Sequence, residues 1–174
     1  MSSFIIGGVA PSRPYTDNYL QAYSKEHVFY EIDMFFGVGD FIAKQALVRA
    51  SSPNNVTRLA SLVVEGFAIH VRNIIEFLYS KQPRPTDVVA ADFCLPGAWE
   101  AARPSLSNTL ETARVRADKE LAHLTTARIS GNPPEKTWEA AALMIEIKPL
   151  LKLFLITTQP TALADRVKNQ INKC

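Results

Sequence analysis

The chain has 174 residues, which is about the length of one globular domain and enough to bury a single core. Its 19 basic and 17 acidic side chains leave a formal charge of +2, so charge does not indicate DNA or RNA as a partner. Two cysteines exclude a disulfide scaffold and a zinc site built from cysteines.

Targeting signals are not evident in the sequence. The apolar run at residues 4–10 has no basic region before it and stops at Pro11, which is unlike a secretory signal. The most apolar later segment, residues 140–156, contains Glu146, Lys148 and Lys152, whereas a membrane span needs about 20 residues nearly free of charge. We therefore expect a cytoplasmic protein that does not enter a membrane.

The eleven prolines divide the chain into helix-sized windows. Three long stretches, 15–52, 54–82 and 105–132, contain no proline. Asn-Gly and Asp-Gly hairpin signals are missing, and apolar residues do not alternate with period two. The pattern predicts an all-α fold: a four- to five-helix bundle with a long proline-rich connector. We expect one domain over 1–174, with 1–17 extended or irregular and a tail helix at 161–174.

The first two windows each predict a long helix. An apolar stripe predicts the first helix over residues 25–49, and Gly37 and Gly39 at its middle indicate a kink or a close helix crossing. The second helix, over 56–80, is apolar around most of its circumference. A helix of this kind is buried among its neighbours, so it is predicted to be central.

The second half of the chain predicts a connector and three shorter helices. The connector, 81–104, is expected to contain a short helical turn at 87–93 and to pack Trp99 onto the core. A third helix, capped by Ser105, is predicted to end near residue 125. A fourth begins at 135–137 and is kinked or restarted by Pro149. Its predicted inward residues are Trp138, Ala142, Met144 and Ile145.

Several polar side chains lie on the apolar second helix. They are Glu65, His70, Arg72 and Asn73, and Asp92 of the connector is a candidate partner for them. An unpaired buried polar group costs roughly 1–3 kcal/mol, so these side chains are expected to hydrogen-bond to other helices or to the connector. The set is either a structural network that fixes helix register or the lining of a small-ligand pocket.

Metal and cofactor motifs are not predicted. Glu65 and His70 are five residues apart, about 140° around a helix, and cannot ligate one ion. Glu120 and His123 have the three-residue spacing of di-iron bundles, but the sequence has no second pair. Phosphate-binding and dinucleotide-binding signatures are also missing, so neither a metal nor a cofactor is expected.

The third helix carries the most suggestive spacing for catalysis. Arg116 and His123 are seven residues apart, so on a helix they share one face about 10 Å from each other. A histidine can transfer a proton and an arginine can stabilise phosphate charge, which suits phosphodiester cleavage.

This arrangement resembles the Arg-x(4–6)-His motif of the HEPN superfamily of small all-α domains. The resemblance implies a metal-independent ribonuclease or an RNA-binding domain, with Arg116 and His123 as its motif pair at a homodimer interface. Asp118 stands one residue away from the polar position that often follows the arginine. The strings around His70 and Ala122 also resemble bacterial helical proteins of unknown function, which implies no activity.

Non-enzymatic functions are the alternatives. Arg116 and Glu120 are spaced for a solvated ion pair, and His123 and Arg128 could instead bind connector carboxylates. The near-neutral charge and the amphipathic tail helix favour a protein-interaction module. The polar row from Glu65 to Asn73 would suit a small-ligand binder.

Overall fold

The computed structural model describes residues 15–49, 57–119 and 138–174. Within these ranges the regular structure is helical, apart from one isolated bridge between Cys94 and Thr158, which confirms the predicted all-α class. The α-helices are α1 (Asp17–Tyr23), α2 (Phe29–Arg49), α3 (Thr57–Tyr79), α4 (Ala98–Ala102), α5 (Asn108–Ala117), α6 (Ala140–Thr157) and α7 (Asp165–Lys173).

The first helix starts earlier than predicted. It begins at Asp17, not near Lys25, and most of the segment 1–17 expected to be irregular falls outside the described residues. The Thr16 hydroxyl oxygen accepts a hydrogen bond from the Tyr19 N–H at 3.3 Å, which caps the helix. Asp17 in the first turn also favours the positive end of the helix dipole.

A π-helical turn (Ser24–Val28) joins α1 to α2. Ser24 is fully buried there, and its hydroxyl donates to the Gln21 carbonyl and accepts from the Ala164 N–H, each at 3.1 Å. Arg166 of α7 lies over the Phe29 ring at 3.6 Å, just beyond the turn. The π turn is therefore held by the C-terminal part of the chain.

Helix α3 lies within one residue of its predicted bounds and packs against α2 and α5. Phe67 and Ile74 are buried in the core. Leu62 and Ile69 are exposed, and 48% of Ile69 is accessible to solvent, so the prediction that α3 is buried nearly all round is wrong. The helix has a solvent face because α2 and α5 cover only part of its circumference.

The glycines of α2 mark a close helix crossing, which is one of the two alternatives, kink or close crossing, that the sequence predicts. A β-carbon at Gly39 would lie 2.7 Å from Met144 Sδ of α6 and 2.9 Å from Phe67 Cε2 of α3. The same addition at Gly37 would meet no atom within 4 Å. Gly39, and not Gly37, is the position where a side chain would collide with two neighbouring helices.

The connector is attached to the end of α3. A short 3₁₀ helix (Ala90–Phe93) falls inside the predicted turn at 87–93. Trp99 is fully buried, as predicted, and its Nε1–H donates to the Leu78 carbonyl at 2.8 Å. Arg103 Nη1 donates to the same carbonyl at 2.5 Å, so two connector side chains cap the C-terminus of α3.

Helix α5 is capped by Ser107, two residues beyond the predicted Ser105. The Ser107 hydroxyl oxygen accepts from the Leu110 N–H at 3.1 Å. Leu110, Ala113 and Ala117 of this helix are buried in the core. The predicted end near residue 125 lies outside the described residues.

Helix α6 runs past Pro149 to Thr157, and its buried side differs from the predicted one. Trp138 is buried as expected, but Ile145 is 73% exposed and Ala142 is exposed, so those two inward assignments are wrong. The buried side of α6 is formed instead by Ala140, Leu143, Ile147, Leu150, Leu151 and Phe154.

The predicted tail helix is α7, which packs against α2, α6 and the π turn. Val167 and Ile171, two of its predicted apolar residues, are buried against the same chain. The apolar face of α7 is therefore already covered and offers little for a second molecule. Among the described helices, none combines the length and apolar character needed to cross a membrane.

Candidate binding surface

The most distinctive surface is a row of aromatic rings along α1 and the π turn. Tyr15, Tyr19, Tyr23 and His27 form this row, which we call the tyrosine stripe. The rings of Tyr15 and Tyr19 are 5.0 Å apart and 13° from parallel, and those of Tyr19 and Tyr23 are 6.2 Å apart at 20°. The Tyr23 and His27 rings are 4.7 Å apart.

Helix geometry accounts for this alignment. Residues four apart lie one above the other on a helix, which aligns Tyr19 with Tyr23 on α1, while Tyr15 precedes the Thr16 cap and His27 lies in the π turn. Tyr19 is 49% exposed and His27 is exposed, while Tyr15 and Tyr23 are partly covered. The Tyr15 hydroxyl is shared between the backbone carbonyls of Pro85 and Asp87, at 3.2 and 3.3 Å, which fixes the first ring to the connector.

Carboxylates shape the electrostatics of the stripe. Partial desolvation, followed by the charges of Asp92 and Asp87, raises the pKa of Tyr15. Desolvation and the neighbouring Tyr19 raise the pKa of Tyr23, and Glu31, Tyr15 and Asp87 add to the effect. The phenols therefore stay neutral at physiological pH, and the stripe is a neutral aromatic surface in a negative field.

Glu31 follows His27 at the same spacing of four residues, and its carboxylate binds His70 of α3. The Nδ1–H of His70 donates to Glu31 Oε2 at 2.8 Å, which joins α2 to α3. His70 is buried, and the Tyr30 ring meets its imidazole edge-on at 5.5 Å. This contact gives the predicted polar residue His70 a specific partner that the sequence did not indicate.

The other predicted polar residues have separate locations. Arg72 Nε donates to the Asp118 carboxylate at the end of α5. Glu65 is exposed and Asn73 is partly buried. Asp92 accepts from the Val89 N–H at 2.8 Å within the connector. The contacts of His70 and Arg72 tie α3 to α2 and to the end of α5, and none of the contacts above joins the five residues in one pocket.

Of the proposed catalytic pair, Arg116 and His123, only Arg116 lies among the described residues. The Arg116 guanidinium lies over the Trp138 ring at 4.6 Å. Asp118 is engaged by Arg72, as above. His123, together with Glu120 and Arg128, lies outside the described residues. The cleft predicted to contain Arg116 and His123 therefore stays a prediction.

A cavity of about 640 Å³ lies between the end of α3 and the segment leading into α5. Arg114 crosses its wall and donates to Glu111 at 2.8 and 3.0 Å and to Glu76 at 3.1 Å. The hydrogen bonds from Arg114 to Glu111 lower the pKa of Glu111 and keep that carboxylate charged. Because Arg114 is already neutralised by two carboxylates, it is a poor anchor for an anionic ligand. The cavity lining does not include the row from Glu65 to Asn73.

A metal site is not formed within the described ranges, where no three histidine, cysteine or acidic side chains come together. The chain matches no protein-family model, and no curated protein or solved structure is significantly similar to it. Arguments about function therefore depend on the geometry of this chain.

The sequence prediction missed the tyrosine stripe. The signal was present as aromatic residues repeated at intervals of four from Tyr15 to His27. It was overlooked because the helix was expected to begin near Lys25, which left all three tyrosines outside any predicted helix.

Proposed function

We propose that this protein is a non-enzymatic interaction module that binds a positively charged segment of a partner protein along the tyrosine stripe. The observation that carries the proposal is the ladder of three stacked tyrosines, of which Tyr19 is half exposed, in a field of carboxylates that raises the pKa values of Tyr15 and Tyr23. Helical interaction modules are one of the functions that the composition leaves open.

The chemistry of the stripe suits lysine and arginine side chains. Their aliphatic stems pack along aromatic rings while their charged ends remain near solvent and carboxylates. A cation close to an exposed tyrosine ring gains about 0.5–1 kcal/mol. Asp87, Asp92 and Glu31, whose charges act on these phenols, supply the complementary charge.

Single-stranded nucleic acid is a less suitable occupant. Stacked aromatic side chains do bind bases, but such platforms lie in positively charged grooves that attract the phosphates. Here the charges that act on Tyr15 and Tyr23 are carboxylates, which repel phosphates. The electrostatics therefore favour a cationic protein segment.

Tyr19→Ala tests the proposal. We expect it to weaken binding of a labelled arginine-rich peptide about five-fold, because one contact of about 1 kcal/mol is lost. The measurement is a fluorescence-anisotropy titration of the full chain. Phe41→Ala is the matched control, because Phe41 of α2 is an aromatic residue with the same 49% exposure outside the stripe.

Two results would contradict the proposal. One is equal loss of peptide affinity in Tyr19→Ala and Phe41→Ala, which would show that the stripe has no special role. The other is tighter binding of a single-stranded oligonucleotide than of the peptide. Thermal unfolding of both variants checks that the fold is intact.

A ribonuclease with Arg116 and His123 as its catalytic pair, acting as a homodimer, is the second proposal. The observation in its favour is that the Trp138 ring holds the Arg116 guanidinium in one orientation. His123→Ala should abolish cleavage of a single-stranded RNA in the presence of a chelator while leaving the Tm unchanged. Absence of cleavage by the unmodified protein, or a large fall in Tm of the variant, would count against this function.

A further inference from the structure

The cavity between the end of α3 and the segment leading into α5 is separate from the tyrosine stripe. Its volume of about 640 Å³ lies in the range of small-molecule sites, roughly 300–1,000 Å³. The described lining includes no residue of the stripe. The side chains of Ile75, Pro104 and Leu106 give it an apolar part that suits a short carbon skeleton.

The same lining carries three cations and three carboxylates. They are Lys81, Arg103, Arg114, Glu76, Glu100 and Glu111. Their formal charges cancel. A simple anion or a simple cation would therefore lie beside charges of its own sign as well as beside opposite ones. A molecule that carries one charge of each sign suits this lining better than either.

The carboxylates that contact Arg114 form the negative part of the cavity. Arg114 donates two hydrogen bonds to Glu111, at 2.8 and 3.0 Å, and one to Glu76 Oε1, at 3.1 Å. Because two carboxylates share one guanidinium, the group of three keeps an excess of one negative charge. Oε2 of Glu76 accepts no hydrogen bond from the described residues and can accept one from an ammonium group.

Arg103 forms the positive part. Its guanidinium lies over the Tyr79 ring at 5.1 Å, and its Nη1 donates to the Leu78 carbonyl at 2.5 Å, so two contacts orient it. No carboxylate of the described residues forms a salt bridge with it. A guanidinium has five N–H donors, and two of them can bind a carboxylate side by side. Arg103 is therefore available to a ligand in a way that Arg114 is not.

The positive and negative parts both adjoin the last turn of α3. Arg103 lies over Tyr79, and Arg114 binds Glu76, which is three residues earlier and so is a neighbour on the helix surface. A sphere with the volume of this cavity has a diameter of about 11 Å, which is the scale of a small organic molecule. One such molecule can therefore contact both parts.

We propose that this cavity binds a small zwitterion with one carboxylate and one ammonium group, such as an amino acid. Arg103 binds the carboxylate, and Glu76 binds the ammonium group. The site is independent of the proposed function at the tyrosine stripe, so either can fail without the other.

Linear ω-amino acids from glycine to 6-aminohexanoate test the site, because this series varies the distance between the two charged groups. Isothermal titration calorimetry with the full chain measures their binding. The carboxylates and amines of the same chain lengths are controls that lack one charge. We expect at least one amino acid to bind at least ten-fold more tightly than both of its controls. The proposal is overturned if no member of the series binds, or if a control binds as tightly as its amino acid.

Arg103→Gln removes the positive part. The fold should tolerate the change, because the amide can still donate to the Leu78 carbonyl and the Trp99 N–H already does so. We expect a loss of at least ten-fold in affinity for the amino acid that binds best. Arg166→Gln is the matched control, because Arg166 also lies over an aromatic ring, that of Phe29, but outside the cavity. An equal loss in both variants would contradict the role of Arg103.

Glu76→Gln removes the excess negative charge and keeps an oxygen for Arg114. We expect at least a five-fold loss of affinity for the amino acid and no loss for its carboxylate control, which has no group to bind at Glu76. Glu65→Gln, at an exposed position of the same helix outside the cavity, is the control variant. The assignment of Glu76 is overturned if Glu65→Gln has the same effect, or if Glu76→Gln weakens the amino acid and the carboxylate equally.

Discussion

Replacing Gly39 with alanine should destabilise the protein, whereas the same change at Gly37 should not. Both glycines lie within α2, where alanine favours the helix by roughly 0.5–1 kcal/mol. At Gly37 nothing opposes this gain, because the added carbon meets no atom within 4 Å. Gly37→Ala should therefore increase the free energy of unfolding by up to about 1 kcal/mol.

At Gly39 the added carbon would collide with α6 and α3. Met144 Sδ, at 2.7 Å, is flexible and can move. Phe67 cannot, because its ring stacks on Phe35 at 5.5 Å and meets Trp138 edge-on at 6.3 Å. Overpacking of this kind costs about 1–3 kcal/mol, so after the helical gain we expect a net loss of about 1–2 kcal/mol.

Urea unfolding followed by circular dichroism measures both variants. In a chain of this length, the expected loss for Gly39→Ala corresponds to a fall in Tm of roughly 2–8 °C. Adding Met144→Ala to Gly39→Ala should recover little stability if Phe67 is the rigid neighbour. If Gly39→Ala is as stable as Gly37→Ala, the close crossing of α2 with α6 is refuted.

Two further predictions concern the π turn and the stripe. Ser24→Ala removes the acceptor of the buried Ala164 N–H, so it should lower the free energy of unfolding by about 1–3 kcal/mol. An unchanged midpoint in urea unfolding would mean that the contact does not contribute to stability. The raised pKa values of Tyr15 and Tyr23 mean that folding favours their neutral phenols. Their stabilising contribution is present below about pH 10 and is lost as the pH rises through the folded pKa values. In a phenolate-absorbance titration, these two phenols should ionise above the ordinary tyrosine value of about 10, and ionisation at that ordinary value would contradict the assignment.

The helical class was predictable because it depends on features that tertiary structure seldom overrides. Proline-free windows and the 3.6-residue period of apolar residues identified α3 to within one residue at each end. The missed start of α1 shows the limit of this signal. Its first turns begin at the Thr16 cap and bury one apolar side chain, Leu20, which is too few to give a periodic apolar signal.

The orientation of α6 could not be predicted, because a strongly apolar helix has no single face that its sequence marks as inward. Ile145 and Ile147 are equally apolar, yet the first is 73% exposed and the second is buried. The choice is made by the crossing at Gly39, where the missing side chain lets α6 approach α2 near Met144. A prediction made from the sequence of α6 alone does not include the surface of α2 against which α6 packs.

The candidate binding surface was hidden for a different reason: it depends on charges that are distant in sequence. The chain is weakly basic overall, at +2, yet the carboxylates that act on the stripe come from the connector and from α2. Net charge averages over such local fields and predicts neither their sign nor their position. The spacing of the tyrosines could be read from the sequence, but the cationic partner that we propose depends on Asp87 and Glu31, whose charges reach the stripe only through the fold.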